Sequence, residues 1–517
     1  MSLLKYLFFL TISTILLWQC ASMQSPSGGA KDTHAPAVLN SYPDYGATNV
    51  NPSRIEIHFD EFFKLRNLQS ELLVSPPLNE APLISQKDKS LFIELKEELN
   101  PNSTYTFNFG NGIVDYHEGN ALKDYSLVFS TGNELDSLSL RGKLISCPLE
   151  TLPEDIIIGI YQKDSLVNDS TIYLQKPDYF SLAKEKGDFQ IKHIRKGNFE
   201  LIAFEDLNAN YQYDGATEQI AFYDSLITIG DSSEFELWLF QEETELKLLE
   251  SKAKKNGRIH WAFNKVVDSI KIHSSLNTAY EYQAKEDSVF IWPQFKTNDS
   301  VYFSIQVESI YDTIWVNPKS LPNPSTPIAS IKNKFLKSNK WLFIDFSEPI
   351  SLLDTSKISL VKDAIYYDYE FELFDFALAI EAPENGNSNY ELILERGSIT
   401  SHLGVVNDST NLSFYTKAAN SLASLKINVR LDNDNYFIEL LKNGDVIDRL
   451  EASEELKFAE ILPSKYQLRL TLDSNNDGIW TPGNYFENSQ PEKVFYYKEE
   501  INLRANWELE LDFILTD

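Results

Sequence analysis

Two stretches of the 517-residue chain carry the densest sets of oxygen donors. From Asp473 the sequence reads D-S-N-N-D-G-I, so Asp473, Asn475, Asp477 and Gly478 occupy places one, three, five and six of a loop. The Ile479 carbonyl falls at place seven. Calcium takes about six to eight oxygen ligands, and in a tight loop it favours alternate acidic or amide side chains with glycine at the sixth place. Asp206, Asn208, Asn210 and Asp214 repeat the spacing without the glycine, and Glu218 lies one place late for the closing glutamate. In the later copy Asn484 stands at that closing place. Calcium is the one cofactor the sequence raises, at the roughly 10⁻⁴–10⁻³ M affinity of extracellular modules. The competing reading needs no metal: Asp and Asn side chains bond their own backbone and stabilise a hairpin loop.

Other chemistry is harder to build. Asp60-Glu61 and Asp115 with Glu118 would suit hydrolysis only if they faced each other across one cleft with shifted pKa values. Acids at strand-end turns account for them otherwise. Seven histidines are scattered, with no H-E-x-x-H and no Cys/His spacing for zinc. No G-x-S-x-G elbow or glycine-rich phosphate loop occurs. Trp261, Trp292 and Trp315 fall in one region, where they would either stack on sugars or fill a core. No enzyme activity is expected.

The elements that must position these residues are strands. Ile55, Ile57 and Phe59 alternate with Glu56, His58 and Asp60, the mark of a half-buried strand. L-F-I-E-L at 91–95, T-Y-T-F-N-F at 104–109 and Y-S-L-V-F-S-T at 125–131 follow, separated by Pro and Asn turns. The pattern then repeats. Phe199, Leu201, Asp206 and Tyr213 lie over Tyr466, Leu468, Asp473 and Trp480 without a gap. Tyr105, Gly112, Gly119 and Phe129 lie over Tyr390, Gly397, Gly404 and Phe414 at one offset, with Asp115 over Thr400.

A formal net charge of −30 argues against nucleic acid and against docking on anionic lipid headgroups. Only Cys20 and Cys147 are present, so no disulfide framework is expected, and Cys147 reads as a buried, inert thiol. Lys5 precedes an apolar run, Leu7 to Trp18, that is short for a membrane span. The following Leu17-Trp18-Gln19-Cys20 resembles the lipobox of bacterial lipoproteins, which implies lipidation of Cys20. A signal peptide cut elsewhere is the other reading. Residues 21–35 are small and polar, as a tether should be.

P-x-x-G-A-T-N-V from Pro43, Phe59-Asp60-Glu61, Leu99-Asn100-Pro101, Asp115 and Phe129-Ser130-Thr131-Gly132 together resemble the bacterial Ig-like domain of surface-layer proteins. Gly187, Phe189, Gly197, Phe199 and Leu201 resemble the transthyretin-like or carboxypeptidase-regulatory-like sandwich. The expected fold is therefore all-β, in tandem β-sandwiches. The expected order is leader 1–20, tether 21–35, Ig-like 36–132, transthyretin-like 136–240, divergent Ig-like 243–318, Ig-like 325–417 and transthyretin-like 421–517. The resemblance implies a lipid-anchored cell-envelope protein, held at the outer membrane through its N-terminal lipid. It would serve as a non-catalytic scaffold for a protein or glycan partner. A carbohydrate-binding surface lipoprotein, a hydrolase with hidden acids and a structural spacer are the rival readings.

Overall fold

A computed structural model describes residues 32–515, apart from 124, 150, 164–169, 185, 231–233, 255–256, 268, 297, 321–325, 338–339, 375, 382–385 and 432–434. The leader, Cys20 and most of the tether lie outside the described residues. The strands follow from alternation. In Arg54–Phe59 the residues Ile55, Ile57 and Phe59 are buried, while Arg54, Glu56 and His58 face outward. Each fully buried Ile or Phe contributes about 1.5–3 kcal/mol over its exposed state. The described residues are nearly all strand, turn and loop, with only single helical turns such as Leu68–Glu71.

The chain divides into two compact units. Met1–Leu144, Pro153–Tyr213 and Ala221–Leu237 form one; Ile145–Leu152, Asp214–Ile220 and Trp238–Asp517 form the other.

In the first unit, Val38–Tyr42, Arg54–Phe59, Ser90–Glu94 and Leu83–Lys87 lie side by side in that order. Leu73–Ser75, Thr104–Asn108 and Ser126–Ser130 make the facing sheet, and Phe63–Leu65 pairs with Ile113–Asp115. With the short pair set aside, this is the four-plus-three arrangement of the constant-type immunoglobulin sandwich. Its core holds Tyr105, Phe107, Phe109 and Phe129. Next along the chain, Leu138–Ser146 pairs with Asp188–Ile194. Ile156–Gln162 lies between Tyr179–Leu182 and Gly197–Glu205.

The second unit repeats both designs. Leu248–Ala253, Ile259–Phe263, Ser288–Gln294 and Ala279–Lys285 make a four-stranded sheet. Lys271–Ser274, Val301–Val307 and Ile310–Val316 make a three-stranded one. The strand order is that of the first Ig-like module. Ala329–Ser330, Trp341–Phe346, Ala377–Glu381 and Phe371–Phe374 give the same order again, opposite Ile365–Tyr367, Ile358–Lys362, Ser388–Leu394 and Thr410–Thr416. Its Tyr390 and Phe414 rings stack 5.1 Å apart, as Tyr105 and Phe129 do at 6.2 Å. One residue shifts. Ser401, not Thr400, pairs opposite Ile350 as Asp115 pairs opposite Phe63, and the partner strand carries a bulge between Ile350 and Leu352.

In the last module Ala423–Arg430 runs antiparallel to Leu456–Ile461 and parallel to Glu508–Ile514. Tyr436–Lys442 lies between Asp445–Glu451 and Ser464–Leu472. Segments from the second module pack on it: Cys147, Trp238 and Val494 share a small core with Ile145, Trp480, Phe495 and Tyr496. The Tyr496 hydroxyl donates to the Pro148 carbonyl at 2.5 Å, and the Tyr485 amide donates to Glu242 at 2.7 Å.

Candidate functional site

The Asp473 loop leaves strand Ser464–Leu472 and turns on Gly478, whose φ of 77° suits a residue without Cβ. Asp473 is buried, and its two oxygens accept from the amides of Asp477 at 3.1 Å and Gly478 at 2.9 Å. Asn475 Oδ1 accepts from Asp477 N at 3.0 Å, and Asp477 Oδ1 accepts from Ile479 N at 2.8 Å. Asn484, at the closing place, accepts from the Glu487 amide within its own turn. Thus the loop oxygens are met by amides. Among the described residues no three His, Cys, Asp or Glu converge as a metal site.

The loop has an anchor the sequence did not reveal. Glu492 is buried; one of its oxygens accepts from Ser474 N at 2.6 Å and Ser474 Oγ at 2.8 Å, and the other from Thr481 N at 3.0 Å. Its carbonyl accepts from Trp480 Nε1 at 2.8 Å and from the Cys147 thiol at 3.1 Å. Burial pushes that thiol up to about 12, so Cys147 is unreactive at neutral pH. Glu492 lies on the return to strand Val494–Tyr496, and no local motif marks it.

The Asp206 loop uses the same bonds. Asp206 accepts from the amides of Asn210 and Tyr211, both at 3.0 Å, Asn208 from Asn210 at 3.0 Å, and Asn210 from Gln212 at 2.7 Å. Asp214 and Glu218 fall in the other compact unit, where the Asp214 amide donates to the fully buried Glu218 at 2.9 Å.

The acids of the first Ig-like module split in character. Burial would raise the Asp115 carboxyl, but four amides, from Gly119, Asn120, Glu118 and His117, outweigh it and hold it at about 2. Glu61 is raised by burial and by the charges of Asp60, Asp115, Asp32 and Glu118. A raised and a lowered acid side by side would serve acid–base work in a cleft. However, a cavity of about 750 Å³ in this unit is lined elsewhere, by Leu72–Val74, Pro77–Pro82, Ile84, Asp155, Ile157, Lys176, Leu182 and the Asp206–Tyr211 loop. Neither Glu61 nor Asp115 borders it. Asp206 does, with its carboxylate engaged by its own loop. Lys176 donates to the Leu78 carbonyl at 2.7 Å.

The three tryptophans separate. Trp261 is fully buried and donates to Asp312 at 2.7 Å. Trp292 is buried against Phe376, centroids 4.9 Å apart. Only Trp315 is exposed, at 65%, beside the Tyr302 ring. A larger aromatic surface lies in the fourth module, where Trp341, Phe343 and Phe374 are 41%, 52% and 44% exposed. Phe343 and Phe374 lie 6.1 Å apart over a floor that includes Ala377 and Ala379. Sequence reasoning missed it because W-L-F-I-D-F has only Asp345 to mark its outward face, so alternation there is weak.

Two further groups in this unit were not foreseen. The side chains of Glu348 and His402 are buried, 4.0 Å apart. Among the described residues, neither ring nitrogen of His402 nor one oxygen of Glu348 has a hydrogen-bond partner. Burial lowers the His402 imidazole despite the Pro349 backbone bond. Burial raises Glu348, against the Ser401 hydroxyl and the Arg258 charge.

Residues 32–131 match the bacterial Ig-like domain. No curated protein sequence matches the chain. A glucan-utilization surface protein of Bacteroides ovatus, solved with a mixed-linkage heptasaccharide, is 10% identical, covering 63% of this chain and 85% of its own, with a TM-score of 0.20. The surface-layer protein SbsC is 10% identical over 91% of this chain and 68% of its own, with a TM-score of 0.15. Titin domains A168–A170 are 9% identical over 45% and 92%, with a TM-score of 0.16.

Proposed function

We propose that this chain is a non-catalytic binding scaffold of the cell envelope, tethered to the outer membrane through lipid on Cys20. Its Ig-like and transthyretin-like modules present one of their faces to a partner. The observation that carries the reading is a division of labour among side chains. Asp115 holds a turn through backbone amides, as Asp473 does in its own loop, whereas exposed aromatic rings gather on the Trp341–Phe374 sheet. Aromatic side chains dominate the energy of binding surfaces, and charged turns do not.

A carbohydrate-binding protein is the second reading. Trp341, Phe343 and Phe374, together with Trp315 beside Tyr302, would offer faces to sugar rings.

Two experiments test the scaffold. Metabolic palmitate labelling should be lost in Cys20→Ser, and its retention would remove the anchor. The purified chain should turn over no ester, peptide or glycoside substrate. Turnover abolished by Glu61→Gln would replace the scaffold with a hydrolase.

A further inference from the structure

The edge strand Phe371–Phe374 lacks the protection its counterpart keeps. An edge strand offers unpaired N–H and C=O groups to any other strand, and folded proteins guard such edges with charge, lysine above all. In the first module the equivalent edge reads Leu83-Ile84-Ser85-Gln86-Lys87, followed by Asp88 and Lys89. In the fourth it reads Phe371-Glu372-Leu373-Phe374, with all four residues exposed. This strand pairs with Ala377–Glu381 on one side, and among the described residues no strand covers its other side. The sequence that contains it is one-sided in charge. From Asp363 to Glu395 the sequence holds nine acids and no Lys, Arg or His.

We propose that this edge receives an extended segment of another protein as a further strand, one whose side chains alternate between apolar and basic. The proposal rests on the scaffold reading and names the chemistry of its partner. Main-chain bonds to the free edge would supply affinity, and alternate side chains would supply specificity. Apolar residues of the incoming strand would cover Phe371 and Leu373. Lysine or arginine on its other face would meet Glu372 and the Phe374 ring, through charge and cation–π attraction. An acidic strand would be repelled. A glycan has no ladder of amides to match the edge.

The test titrates the full chain into a labelled octapeptide of alternating lysine and valine, read by fluorescence anisotropy. Saturable binding is expected, weakened about tenfold or more in Glu372→Lys, where a charge pair becomes a repulsion. Methylating alternate peptide nitrogens keeps the charge and removes the N–H donors, and should weaken binding as strongly. Ser85→Lys, at the matching place in the first module, should leave binding unchanged. Glu372 is exposed, so its variant is expected to melt with the wild type, and Phe374→Ala is a second variant with the same expected loss.

No binding of the peptide, equal binding by the methylated peptide, or wild-type binding by both variants would each overturn the proposal. Binding of a soluble β-linked hexasaccharide that is lost in Phe374→Ala, with no peptide binding, would overturn it in favour of a sugar platform. Failure of the peptide removes only this occupant. Hydrolytic turnover would remove the scaffold reading itself.

Discussion

The first and fourth modules share a strand order and differ on one face. Arg54, Glu56 and His58 point outward from the first, with Arg54 and Glu56 paired. At the same three places the fourth carries Trp341, Phe343 and Asp345. Lys87 on the first edge corresponds to Phe374 on the fourth, through the pairings Lys87–Ser90 and Phe374–Ala377. The inward set keeps its character: Ile55, Ile57 and Phe59 become Leu342, Ile344 and Phe346. Two copies of one core therefore carry unlike surfaces. The core specifies the sandwich, and the outward residues are where the copies differ.

The largest expected effect tests the shared core. Tyr105→Ala and Tyr390→Ala should each cost about 3–5 kcal/mol in denaturant unfolding, the usual range for removing a buried aromatic. Phenylalanine should then tell the copies apart. The Tyr105 hydroxyl accepts from Asn100 N at 2.9 Å, whereas that of Tyr390 is buried and has no hydrogen-bond partner among the described residues. Tyr105→Phe should cost about 1 kcal/mol, and Tyr390→Phe nothing or less. Equal effects would break the comparison.

The loops come next. Asp115 caps the first module's loop through amides, and Asn407 caps the fourth's. Asn407 accepts from Ile399 N at 2.8 Å and donates to the carbonyls of Glu395 at 3.1 Å and Asp408 at 2.9 Å. Asn407→Ala should cost about 1–3 kcal/mol at any pH. The Asp115 contribution is different, because its folded pKa lies below its unfolded one. It is present above the unfolded value and lost as pH falls through about 2. Acid unfolding of Asp115→Asn should lack that wave.

The fourth module also has a pH dependence of its own. His402 is lowered by burial, so the unfolded chain takes up protons first and stability falls as pH drops below about 6.5. Glu348 is raised and acts in the opposite sense, gaining stability as pH falls toward its unfolded value. Melting of His402→Leu between pH 7 and 5 should therefore lack the acid-side loss that the wild type shows. A parallel pair of curves would sink this assignment.

Much of this was legible and some was not, for physical reasons. The all-β class follows from alternation at Ile55, Ile57 and Phe59, and the repeated core from Tyr105/Phe129 over Tyr390/Phe414. Spacing set Asp115 over Thr400, whereas strand pairing puts Ser401 in its place, and pairing across a sheet is invisible to spacing along one strand. Glu492 was missed because a sheet, not a motif, brings it to the Asp473 loop. Calcium was legible only as spacing. The amides that meet those oxygens predict that chelation leaves the melting temperature unchanged, while Asp473→Ala costs about 1–3 kcal/mol. A rise on adding calcium, lost in Asp473→Ala, would place the cation there.

The smallest effect on stability should come from the surface that separates the copies. Trp341→Arg, Phe343→Glu and Phe374→Lys together give the fourth module the first module's face, at a cost per exposed site of about 0.5 kcal/mol or less. Binding of the lysine–valine peptide to this triple variant, measured beside its melting curve, tests the account most directly. Lost binding with an unmoved melt is the predicted result; retained binding would contradict the claim that function resides on that face.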